Sequence, residues 1–102
     1  MLNLKNTTMN SFNSAQSAKI LGLTENQFKT ILKQLEFIES DNTPKAKYVE
    51  RNLFSVYLKI IETKDKNQQQ YRLTWLVTPI GLDYIHRVFL NHGVKVKPSI
   101  FV

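Results

Sequence analysis

Asn26, Lys29, Thr30 and Lys33 are the residues of this 102-residue sequence whose types and spacing suit a definite chemistry. An amide and a hydroxyl can read base edges, and lysines can meet phosphates or guanine. Lys29 and Lys33 stand one helical turn apart. Like charges at that spacing cost about a few tenths of a kcal/mol in an isolated helix, a cost that an anionic partner removes. Glu25 counts the other way, because it sets a negative charge beside any phosphate that approaches. A second basic group, Lys64 and Lys66, lies in a polar stretch over residues 64–69, diluted by Asp65 and ending in glutamines. Lys59 and Arg72 flank that stretch. Fourteen Lys and Arg stand against eight Asp and Glu, for a net charge of +6. In so small a chain this favours an anionic partner, of which nucleic acid is the commonest.

Other chemistries find less support. His86 and His92 are the two histidines, their spacing does not match a helical metal pair, and no cysteine completes a zinc site. His92 suits a helix end, where a partial positive charge complements the dipole. Asp83 and His86 are helix neighbours without an activated serine. Three scattered glycines make no phosphate-binding loop. Trp75 reads as a core or core-covering residue rather than a stacking platform. We therefore expect no enzyme activity, no cofactor, no metal and no small-molecule substrate. The absence of cysteine excludes disulfides and suits a reducing cytoplasm. No apolar run approaches the roughly 20 residues that span a bilayer, so no membrane role is expected.

The elements that must position these groups can be read from capping residues and hydrophobic period. Residues 1–13, rich in Asn and Thr, read as a flexible leader, from which Leu2, Leu4 and Phe12 can still dock. Ser14 is a candidate N-cap for a short helix carrying Ala15, Ala18 and Leu21 on one face. Gly22 interrupts that pattern, and a left-handed turn there explains it. Thr24, with Gln27 three residues on, predicts a capping box. Phe28, Ile31, Leu32 and Leu35 then follow at helical spacing. The pair has helix-turn-helix spacing, with small Ala18 permitting close approach and Phe28 and Ile31 pinning the second helix.

Pro44 predicts the start of a short helix through Val49, with Tyr48 and Val49 inward. From Leu53 the period changes to two. Phe54, Val56, Leu58 and Ile60 share one face of a strand, and Tyr71, Leu73, Trp75 and Val77 form its returning partner. Thr78-Pro79 opens a last helix carrying Leu82, Ile85 and Phe89, and Gly93 stops it. Residues 14–93 thus form one α+β domain of winged helix-turn-helix type: helix pair, short helix, long β-hairpin wing, C-terminal helix. Residues 94–102 form a tail that alternates weakly, as an edge strand or a dimer arm.

Three stretches carry a family resemblance: Ser17-Ala18-Lys19-Ile20-Leu21-Gly22-Leu23-Thr24 with Phe28, Ile31, Leu32 and Leu35; Pro44-Lys45-Ala46-Lys47-Tyr48-Val49-Glu50-Arg51-Asn52-Leu53-Phe54; and Trp75-Leu76-Val77-Thr78-Pro79-Ile80-Gly81-Leu82-Asp83-Tyr84-Ile85. Together they resemble the carboxy-terminal (KilA-C) domain of phage antirepressors over about residues 14–90. The resemblance implies a phage or prophage regulator with a winged-helix-like fold. In larger antirepressors the domain sits behind a separate N-terminal domain, and here it is expected to stand alone. The leading expectation is a cytoplasmic transcription regulator. It would bind double-stranded DNA through Asn26, Lys29, Thr30 and Lys33, aided by Lys64 and Lys66. A homodimer is expected, since paired half-sites add specificity that one small module lacks. The alternative is a protein-binding module, either an antirepressor or an inhibitor of a bacterial immune complex. The mixed charge of the exposed helix and the apolar Ile100-Phe101-Val102 favour that alternative.

Overall fold

The computed structural model describes residues 11–61 and 70–100. Helix α1 spans Ser14–Leu21, and its cap is Asn13 rather than the expected Ser14. The Asn13 carboxamide accepts from the Gln16 amide, and the Gln16 side chain accepts from the Asn13 amide. Ser14 lacks such a partner at the third position and falls one residue inside the helix. Just before the cap, Phe12 exchanges two backbone hydrogen bonds with Val77, at 2.8 and 2.6 Å. Phe12, one of the leader residues expected to dock, therefore packs against the core.

Helix α2 spans Glu25–Gln34 and begins with the capping box expected of Thr24 and Gln27. The tight connection from α1 uses Gly22 at φ +87°, with Leu23 N–H donating to Ala18 at 2.8 Å. Helix α2 leaves by the same motif without a glycine. Glu36 takes φ +63°, its amide donates to Lys33, and the Phe37 amide donates to Leu32 at 2.8 Å. A side chain in that region costs about 1–2 kcal/mol. Glu36→Gly is accordingly expected to raise the unfolding free energy by about 1 kcal/mol, after the extra backbone entropy of glycine is subtracted. A urea midpoint equal to or below that of the parent would refute it.

Helix α3 covers Ala46–Glu50. Pro44 does not open it, contrary to expectation. It forms an isolated bridge with Ile38, and Lys45 takes the cap position. The reason is local: Ile38 is 2 % exposed, and pairing with Pro44 holds it over the core before the helix begins. The Tyr48 ring then lies 4.8 Å from Phe37. Strands β1 (Phe54–Ile61) and β2 (Gln70–Val77) form an antiparallel hairpin, and helix α4 (Pro79–Asn91) follows from the Thr78 cap. These four helices and one hairpin, among the described residues, make a mixed α+β domain of winged-helix-like form.

The core lies where α1, α2 and α4 meet the base of the hairpin. Phe28, Leu32, Leu21, Leu82, Ile85, Phe89 and Val77 are all fully buried there. Farther along the hairpin the pattern of exposure changes. Leu58 is 64 % and Ile60 57 % exposed, so the strand face that is buried at Phe54 emerges into solvent. The tail does not form an edge strand over residues 94–100. Val94, Val96 and Ile100 instead pack against the core. Lys97 ties the tail down: its amide donates to Leu21 at 2.9 Å, and buried His86 donates through Nε2 to its carbonyl at 2.6 Å. His92 caps α4 and donates through Nδ1 to Val88, in keeping with a structural role at that helix end.

Candidate nucleic-acid interface

Helix α2 turns Phe28 and Leu32 into the core, and this decides what remains outside. Asn26, Thr30 and Lys33 are exposed, and Lys29 lies on the flank with a third of its side chain accessible. The four residues singled out in the sequence on α2 are thus brought onto one outward side of a single, well-capped helix. Lys64 and Lys66 lie outside the described residues.

Lys29 is not free. Its Nζ sits 3.2 Å from Glu25 Oε2, one turn earlier. The same carboxylate oxygen accepts from the Ser14 hydroxyl at the start of α1. The Ser14 hydroxyl first, and Lys29 after it, hold the Glu25 carboxyl below its ordinary 4.5. The pair is exposed, so its worth is small. Its contribution is present at neutral pH and is lost as pH falls below 4.5 through the lowered value.

Among the described residues, clefts border α2 on two sides. One, of about 460 Å³, runs along the tail side between Leu23, Asn26, Thr30, Ile31, Val94 and Lys95 and is mainly apolar. The other, of about 260 Å³, lies between α2, the start of α1 and the hairpin; Lys29, Lys59 and Arg72 all line it. Lys59 and Arg72 are directly opposite each other in the β1–β2 register. Sequence reading found both residues on the hairpin but not their pairing. The strand pattern alone does not set register, and the residues joining the strands carry no turn signal that would. Trp75 takes the structural place expected of it, edge-on to Phe54 at 5.5 Å with its indole N–H donating to the Asn42 carbonyl at 2.7 Å.

A capped helix pair with a tight glycine turn, a projecting hairpin beside the second helix and a closing helix define a winged helix-turn-helix-like module. Residues 4–92 match the phage antirepressor protein KilAC domain, and the chain belongs to that family. No curated protein and no solved structure matches the chain. The family gives it a phage-related regulatory role. No helix among the described residues is long and apolar enough to cross a membrane.

Proposed function

We propose that this protein is a DNA-binding transcription regulator that lays α2 in the major groove and works in the cytoplasm as a homodimer, without catalysis. The observation that carries the reading is the outward side of α2: Asn26 and Thr30 are exposed beside Lys29 and Lys33 on a helix anchored by Phe28 and Leu32. In this reading the amide and hydroxyl read bases, and the lysines hold phosphates. The net charge of +6 supports it. Fluorescence anisotropy with random duplex DNA should show binding that weakens steeply with salt. Lys29→Ala with Lys33→Ala should lower the slope of log affinity against log salt by roughly one to two, about 0.9 for each lost phosphate contact. An unchanged slope and affinity in that double variant would remove α2 from the interface.

A second reading has one specific observation in its favour. Leu58, Ile60, Tyr71 and Leu73 share one face of the hairpin by register, and each is at least 46 % exposed. An apolar face of that kind suits a regulatory or defence protein as partner. Under this reading the parent protein shows no duplex binding even at low salt, and Leu58→Ser with Leu73→Ser abolishes its regulatory effect while the fold stays intact.

A further inference from the structure

Among the described residues, nothing beside the exposed apolar hairpin face or the apolar cleft near the tail names an occupant. The basic cleft does, through its charges. Three cationic residues line it from separate elements: Lys29 from α2, Lys59 from β1 and Arg72 from β2. Two of these form a cross-strand pair of like charge. Like charges directly opposite in an antiparallel ladder destabilise the hairpin, so the pair works against the strand that carries it. Among the described residues neither Lys59 nor Arg72 makes an ion pair, whereas Lys45 and Arg87 each have a carboxylate within 4 Å. The third cation, Lys29, is held by Glu25, which also takes the Ser14 hydroxyl at the cleft's edge. Among the described residues the cleft is therefore lined by two cationic residues without an ion pair and one, Lys29, held by an internal carboxylate.

The geometry points to a phosphate seat: Lys59, Arg72 and Lys29 converge on one backbone phosphate of bound DNA, and Glu25 occupies Lys29 until that phosphate replaces it. The inference rests on the DNA-binding reading of α2. A phosphate diester offers several acceptor oxygens to donors arriving from different directions, and an arginine and two lysines match it. The cleft's volume of about 260 Å³ admits a phosphate group with accompanying water. Its place beside α2 is where a strand backbone passes when a recognition helix lies in the adjoining groove. Glu25, which seemed from the sequence alone to oppose DNA binding, becomes a tunable competitor.

The test compares two double variants of equal charge, Lys59→Gln with Arg72→Gln and Lys19→Gln with Lys47→Gln; neither Lys19 nor Lys47 lines the cleft. Duplex affinity is measured from low to near-physiological salt. The cleft pair should lower the log–log salt slope by about 0.9, the share of one phosphate contact, and the control pair by clearly less. Without DNA, the cleft pair should melt no lower than the parent, because a repulsive cross-strand contact has been removed. Glu25→Gln should tighten binding by about twofold to fivefold at low salt, and Glu50→Gln, on α3, by less. Equal slopes for the two double variants, or a lower melting temperature for the cleft pair, overturn the seat while leaving DNA binding intact. A parent protein that binds no duplex at low salt overturns both the seat and the reading beneath it.

Discussion

Gly81→Ala is expected to destabilise the domain by about 3 kcal/mol or more, at the upper end of what added volume costs in a packed site. Gly81 lies in the first turn of α4, where it is buried. A Cβ built on it would fall 2.0 Å from the carbonyl oxygen of Leu53 and 2.7 Å from its carbonyl carbon. Both obstacles are backbone, so no rotamer change relieves the clash. Nor can that backbone move freely. The Leu53 carbonyl accepts from the Thr78 amide at 3.2 Å, and the Thr78 hydroxyl lies 2.6 Å from the Asn52 carbonyl and 2.9 Å from the Gly81 amide. This knot joins the start of β1 to the start of α4, and a methyl group at Gly81 forces it open. Helix propensity alone argues for the opposite sign, since alanine is favoured over glycine inside a helix by about 1 kcal/mol. Urea unfolding followed by circular dichroism decides between them. A midpoint at or above the parent's would show that the junction can separate at little cost.

Phe28→Ala should cost about 3–5 kcal/mol, the usual range for truncating a buried phenylalanine. Phe28 has no exposed surface, and its ring meets Phe89 at 6.1 Å with the planes inclined by 57°. It is a contact between α2 and α4. A domain of this size has about 5–15 kcal/mol in total, so the loss is a large fraction of it. The melting temperature should fall by about 15 °C or more. A fall of less than about 5 °C would mean that the surrounding Leu21, Leu32 and Phe89 close the cavity. Below its transition the variant should still present Lys29 and Lys33 but hold α2 less firmly. Sequence discrimination should therefore suffer more than salt-dependent affinity if α2 reads bases.

Much of the scaffold was legible because its signals are local. Thr24 with Gln27 three residues on, and Thr78 with Pro79 directly after it, announce helix starts through near neighbours, and both caps form. The alternation from Phe54 to Ile60 and from Tyr71 to Val77 marks both strands. The misses were also local, where two candidates competed. Asn13 and Ser14 can each cap a helix, and the choice fell to the one with Gln16 at the third position. Pro44 carries a helix-start signal, but pairing with Ile38 claimed it first. Glu36 ends α2 in a left-handed turn without the glycine that would have advertised it.

By itself, the sequence determined which residues could touch a nucleic acid and which face of α2 would show them. A period of 3.6 with Phe28 and Leu32 inward leaves Asn26, Thr30 and Lys33 outward, whatever the rest of the chain does. Only the tertiary structure decided that Lys59 stands opposite Arg72, that both share a cleft with Lys29, and that Glu25 occupies that lysine. It also decided that Gly81 touches the Leu53 backbone. These are contacts between segments distant in sequence or dependent on register. Side-chain period is silent on register until two strands pair, and propensity is silent on how closely two backbones approach.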